Sequence, residues 1–451
     1  MSTLPSIDLT QGSVPRHIMR MLFPFWFAIL AMMSASVVDT IYLGRISTDA
    51  LVAVGFCFPI IFLGSSVNIG LGAGVLSAIS RDLGRKNHES AKRHGASAII
   101  LVVIILTVVS SLGLIFGASI VSAMGATPEV KPLALSYLKY ALPALVLMGV
   151  GMVCNNTLRA SGEAFLPSTI MMSGAILNII IDPLLIFGIG PFPRMEVEGA
   201  ALGTLISSVL TASFGLYLVI GHRKAVNFTG LTKALIGKSW KIIGRVGVPA
   251  MGTNIVVPIA SFVAITIIAR MLGKAEVAAF TVAARTEMLG IALLYALSAC
   301  IGANTGQNGG AGHTGRVKHA FDFSYNICVL WGVLIAILSF VFAEQIPSIY
   351  SKDAEVIALA APYFKIVPIT LIGYGVVFVS AAGLNGLGRP KYGLVYTIIR
   401  SLILYIGFVW IGAQIGQLNG VYWGIAAANI LSGFIAYFYT TRRVPMTVLQ
   451  H

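Results

Sequence analysis

Long apolar windows, separated by short clusters of charged residues or by glycine and proline, succeed one another along the whole chain. They fall at 15–43, 51–80, 92–120, 131–153, 163–187 and 197–221, then at 241–270, 276–303, 316–343, 355–384, 391–411 and 421–441. A helix rises 1.5 Å per residue and the hydrocarbon layer is about 30 Å thick, so about 20 apolar residues make one crossing. Each window reaches that length. The pattern therefore predicts an all-α membrane protein with twelve transmembrane helices. The runs are too long and too continuous for the alternating strands of a barrel.

The longest polar connection, residues 222–240, follows the sixth window. It divides an N-terminal half, 1–221, from a C-terminal half, 241–451. The halves resemble each other. A shift of 225 residues lays "LGRISTDALVAVG" (43–55) on "IARMLGKAEVAAF" (268–280), and a shift of 226 lays "SGEAFLPS" (161–168) on "LGRPKYGL" (387–394). Six helices per half is an even number, so both copies enter the membrane in the same orientation. This predicts two six-helix bundles related by a parallel repeat, a design typical of transporters.

Composition supports the membrane reading: 57% of the 451 residues are hydrophobic and 10% charged, against roughly 25% charged in soluble proteins. The net charge of +14 does not point to nucleic acid, because the positive residues lie in short loops and form no continuous basic face. Arg81, Arg85, Lys86, Arg159, Arg223, Lys224, Arg316 and Arg389 fall on one side, and the opposite side is poor in Lys and Arg. The positive-inside rule then puts the N- and C-termini in the cytoplasm of a multi-pass protein, in a bacterial or archaeal cytoplasmic membrane. The first run, Met21 to Leu43, lacks a small-residue cleavage site and reads as a permanent helix. Cys57, Cys154, Cys300 and Cys328 stand singly inside apolar runs, as packing residues. The histidines have no ligand spacing, so no metal site is expected.

Chemistry is sought where the two copies differ. Asp39 falls opposite Ala264, Asn178 opposite Leu404, and Asp182 opposite Phe408. An ionised Asp near mid-bilayer costs several kcal/mol on insertion scales, so such residues usually face a cavity and do work. The alternative is a structural ion pair, but no Lys or Arg lies within one turn of either residue. Asn178 and Asp182, spaced i, i+4, share a helix face. Two carboxylates in one low-dielectric pocket repel each other, which makes them a candidate proton-coupling pair. A cluster of hard oxygens from Asp39, Asn178, Asp182 and Thr204 would also suit Na⁺. Pro24 and Pro183 mark distortions of the two helices. Tyr137, Asn155, Asn156 and Thr204 are further intramembrane polar groups in the first half, as are Arg285, Glu287 and Arg400 in the second. Asn155, Asn156, Arg285 and Arg400 are candidate substrate contacts, with structural pairing of Arg285, Glu287 and Arg400 as the competing reading. "GLGAG" (70–74) reads as close helix packing. "TGQNGGAGHTGR" (305–316) lacks the P-loop lysine and reads as a cytoplasmic turn.

With "VVDTIYLGR" (37–45) and Pro24 upstream, "LRASGEAFLPS" (158–168), "LNIIIDPLLIFG" (177–188), "VEGAALGT" (197–204) and "GANTGQNGGAGHTGR" (302–316), the chain resembles the multidrug and toxic compound extrusion (MATE) transporters over all twelve helices. The resemblance implies two lobes in a V with a central cavity, and secondary active export of amphipathic, often cationic drugs, antibiotics among them, by H⁺ or Na⁺ antiport. It is nearest to the DinF branch, which matches Asp39, Tyr137, Asn178, Asp182 and Thr204 to the coupling cluster and Pro24 to the helix-1 bend. At the acidic positions of the NorM branch this chain has Val257 and Gly375. The implied partners are small amphipathic molecules and membrane lipids, with no nucleic acid, no cofactor beyond the coupling ion, and a monomeric state. Two rivals are a lipid-linked oligosaccharide flippase of the same superfamily, which would need cavity cations such as Arg285 and Arg400, and an intramembrane aspartyl enzyme, against which the twin-lobed repeat argues.

Overall fold

The computed structural model describes residues 7–448. The chain ends whose cytoplasmic placement the loop charges predict lie partly outside that range. Among the described residues every regular element is helical. The first half runs through α1 (Val14–Gly44), α2 (Thr48–Gly84), α3 (His88–Ala123), α4 (Val130–Ala160), α5 (Phe165–Phe187) and α6 (Glu196–Leu216), which ends in a π-helical turn, Tyr217–His222. The second runs through α7 (Lys233–Met271), α8 (Lys274–Gly290), α9 (Ala292–Gly310), α10 (Thr314–Val341), the short α11 (Gln345–Tyr350), α12 (Ala354–Ile366), α13 (Leu371–Gly386), α14 (Pro390–Ile398) and α15 (Ile406–Val448).

Ten continuous helical stretches are long and apolar enough to cross a membrane, α12 joined to α13 and α14 joined to α15 among them, and α8 with α9, bent by 41° at their junction, makes an eleventh. The twelfth is hidden in the 53-residue run Pro390–Arg442. There Gly416 (φ −132°) and Gln417 (φ +50°) leave helical conformation. Beyond them Gly420 packs on the carbonyl of Gly412, and Gly424 on that of Phe408, contacts that only a chain doubling back allows. The twelve predicted spans are thus present.

Polar residues set the helix starts. Ser47 accepts the amide of Ala50 to cap α2, and Asn87 that of Ser90 to cap α3. The repeat is written into the backbone as well. Lys86 and Gly312, 226 residues apart, both take positive φ, and so do Gly162 and Gly388 at the same spacing.

Contacts divide the chain into two compact units. The first comprises Phe23–Met251; the second comprises Leu9–Leu22 and the chain from Gly252 on. α1 therefore begins in the second unit and continues in the first, and α7 does the reverse. The stretch 222–240 read as linker already contains the start of α7. Its lysines mark where the helix leaves the apolar layer, not where it ends. The first turns of α7 stay with the first unit because Gly70 lies against Gly247 and Met251, and Gly74 against the carbonyl of Ile243. "GLGAG" is a packing surface, as its small residues predict. Inside a membrane, where lipid is as apolar as Leu, such close backbone approach carries much of the helix association.

In the first unit Leu138, Leu142 and Leu145 pack on Ala53 and Cys57, with Tyr137 at the margin. A second cluster joins Leu43 and Ala50 to Ile186, Val197 and Ala200, bringing α1, α5 and α6 together. The core of the second unit gathers around Tyr363, Phe364 and the fully buried Tyr422.

Candidate functional site

The first unit brings the predicted coupling residues together. Asp39 comes from α1, and Asn178 and Asp182 from successive turns of α5. Asn178 Nδ2 donates to Asp182 Oδ1 at 2.8 Å and reaches Thr204 Oγ1 of α6 at 3.5 Å. Thr204 in turn donates to the carbonyl of Ala200 at 3.1 Å. α6 can approach this closely because of Gly203. A Cβ there would enter the Asp182 carboxylate, and one on Gly199 would strike the Leu185 carbonyl. Sequence reasoning passed over both glycines, although they stand in "VEGAALGT".

The carboxyl groups of Asp39 and Asp182 face each other within hydrogen-bonding reach. Asp182 is 1% exposed and Asp39 is partly buried. Written as bare carboxylates, Asp39 Oδ1 and Asp182 Oδ2 are both buried with no donor. Two carboxylates make no hydrogen bond with each other unless one of them carries a proton. Tyr137, between the two apolar clusters, is within electrostatic range of both acids. Pro24 lies within α1 directly after the point at which that helix passes from the second unit to the first. Its missing N–H leaves the preceding turn without one helical hydrogen bond.

The candidate substrate residues are placed differently. Asn155 is buried and donates to the carbonyl of Pro167 at 2.8 Å; Asn156, also buried, donates to that of Met152 at 2.8 Å. Asn155 ties α4 to α5, whereas Asn156 bonds back within α4. In the second unit Arg285 is exposed, whereas Arg400, 7% exposed, bonds Asn429 Oδ1 through Nε and Nη2 at 3.3 and 3.1 Å and Ser401 Oγ at 3.3 Å. Glu287 receives a short hydrogen bond from Tyr363. Glu287 and Arg400 interact electrostatically, but each is bonded to neutral partners, so the direct pairing of Arg285, Glu287 and Arg400 read from the sequence is not the arrangement observed. Tyr363 and Asn429 escaped sequence reasoning because each meets its partner across tens of residues.

"TGQNGGAGHTGR" also has a structural task. Arg316 donates to the carbonyls of Leu9, Gln11 and Gly12 at 2.9, 3.1 and 2.7 Å and to Asn308 Oδ1 at 2.8 Å. Asn308 Nδ2 donates to Leu9 O, and Leu9 N to Gln307 Oε1. The segment before α1 is thereby strapped to the turn between α9 and α10.

The MatE family model matches residues 24–184 and again 249–411, two segments whose starts lie 225 residues apart. The chain belongs to the MatE family. A relative named FAD transporter, from Shewanella oneidensis, is 32% identical over 437 residues, covering 96% of each chain. The probable multidrug resistance protein YoeA of Bacillus subtilis is 24% identical, covering 95% of this chain and 94% of its own. Among solved structures, an outward-facing multidrug resistance MATE transporter superposes with a TM-score of 0.93 at 25% identity, covering 99% of both chains. MatE proteins are transporters and not enzymes, so the two aspartates do not form a hydrolytic pair. The family match in both halves also establishes the duplicated helical architecture.

Proposed function

We propose that the protein is a secondary active exporter in which proton exchange at the Asp39–Asp182 pair drives the transport cycle. The observation that carries this reading is the approach of two carboxyl groups that each bury an oxygen with no donor to satisfy it. A single proton supplies that donor and removes the repulsion. Its loss restores two like charges in low dielectric, which favours separation of α1 from α5. Asn178 serves either state, donating to Asp182 while Thr204 backs it from α6. Coupling requires only that the two conformations differ in proton affinity. Pro24, with its unbonded turn, is the point at which α1 bends.

The cargo is an amphipathic aromatic compound leaving the cytoplasm, and the relative named FAD transporter, matched over nearly the whole of both chains, makes a flavin the first compound to test. A flippase would need cations presented together to hold a diphosphate. Here Arg400 is buried on neutral acceptors and Arg285 is exposed. The loop charges support a cytoplasmic location for both termini, and the protein works as a monomer in the cytoplasmic membrane.

The test is flux of FAD and of ethidium in proteoliposomes under an imposed pH gradient or an imposed Na⁺ gradient, one at a time. The pH gradient alone is expected to drive uphill transport. Transport driven by Na⁺ and indifferent to pH would overturn the proton assignment and turn the same oxygen cluster into a Na⁺ site.

A further inference from the structure

The buried polar cluster of the second unit has no part in proton coupling as described, yet it is built around an aromatic column. The Arg400 guanidinium lies 4.0 Å from the centre of the Tyr374 ring. Tyr374 stacks on Phe378 with centroids 5.9 Å apart and planes 13° apart, and Tyr295 meets Phe378 edge-on at 4.7 Å. The Tyr295 and Tyr374 hydroxyls lie within electrostatic range of each other. Arg400 and Tyr374 are buried, whereas Phe378, Tyr295, Tyr405 and Glu287 are partly exposed. Arg400 and Tyr405 belong to a π-helical turn, Ile399–Tyr405, inserted between α14 and α15. Such turns are uncommon in helices and recur at functional sites.

The charge pattern narrows the ligand. Tyr363 engages Glu287 Oε2, and the carboxylate has its countercharge in Arg400 at a distance. Arg400 is itself fixed by Asn429, which donates to Thr370 Oγ1 at 3.1 Å. With one acid and one base the cluster is neutral overall, so it does not select strongly for net charge. It offers an aromatic platform beside an acceptor, Glu287, and a phenol donor, Tyr405, which lie within electrostatic range of each other.

We infer that this cluster binds a planar heteroaromatic ring whose edge presents an N–H between carbonyls, the chemistry of a flavin ring. The ring stacks face-on against Phe378 with Tyr295 at its edge, its N–H donates to Glu287, and a neighbouring carbonyl accepts from Tyr405. Arg400 is a positioning residue, holding Tyr374 under the platform and supplying the countercharge to Glu287. The inference rests on the flavin cargo proposed above and assigns it a site.

Binding of lumiflavin, the bare ring, and of 3-methyl-lumiflavin, which lacks the N–H, to the purified full-length protein tests this by flavin fluorescence. Stacking on one aromatic face and one hydrogen bond to a charged acceptor are each worth roughly tenfold or more in affinity. Wild type should bind lumiflavin about tenfold more tightly than its methylated analogue. Glu287→Ala should erase that preference and Glu287→Gln, which keeps an acceptor, should retain most of it. Phe378→Ala should weaken both compounds alike. If wild type exports FAD but ignores N-methylation, or if Glu287→Ala and Phe378→Ala bind as wild type does, the site assignment falls and the flavin cargo stands. If wild type neither binds nor exports any flavin, both fall.

Discussion

Asp182 has two neighbours that fix its behaviour, a carboxyl group and a glycine. The Asp39 carboxyl makes its charge state matter, and Gly203 lets α6 close over it. Asp39→Asn removes one titrating group while nearly preserving shape, and Asp182→Asn does the same from α5. Both variants should reach the membrane at wild-type levels and lose proton-driven export by roughly tenfold or more, within the range of ordinary coupling energies. Expression blots alongside vesicle flux check both halves of that statement. Gly203→Ala probes the packing side. Its methyl group overlaps the Asp182 carboxylate, so α5 and α6 must part at a cost of about 1–3 kcal/mol. A lowered thermal midpoint in detergent, together with impaired export, is the expected result. An unchanged midpoint would mean that α6 does not press on the acid.

At the scale of elements, α1 is the part that the proposal asks to move. It begins on the second unit, where Arg316 and Asn308 grip the segment before it, and carries Asp39 in the first, with Pro24 directly past the changeover. Pro24→Ala restores the missing hydrogen bond and relieves the ring's clash with the preceding turn. The variant should melt higher than wild type and export more slowly. A variant that is both stable and fully active would show that α1 need not bend at that residue. The strap is tested separately. Arg316→Ala removes a charged donor from three carbonyls, and amide exchange around residues 9–13 should accelerate by roughly tenfold. Exchange at the wild-type rate would place the anchor elsewhere.

For the whole molecule, the apolar windows foretold the helices well, because in a membrane an uninterrupted apolar run and a crossing are nearly the same thing. The parallel repeat was equally legible, and the backbone carries it further in the paired positive-φ residues at 86 and 312 and at 162 and 388. The pairing of Asn178 with Asp182 could be read because it is local to one helix. Contacts between distant helices could not be. Tyr363 reaches Glu287, Arg400 reaches Asn429, and Arg316 reaches Leu9 across separations that no periodicity records. The polar connection after the sixth window is partly helical, because Lys233, Lys238 and Lys241 lie on the first turns of α7. The glycines at 199 and 203 looked like ordinary small residues until the carbonyl and carboxylate beside them came into view.

The central claim is that energy enters through a proton shared by Asp39 and Asp182. It is tested most directly by pH-gradient-driven flux of FAD in proteoliposomes, comparing wild type with Asp39→Asn at matched protein incorporation. The account predicts that wild-type flux follows the gradient, whereas the variant still binds the flavin but no longer responds to it. Flux through Asp39→Asn that tracks the pH gradient as wild type does would contradict the account.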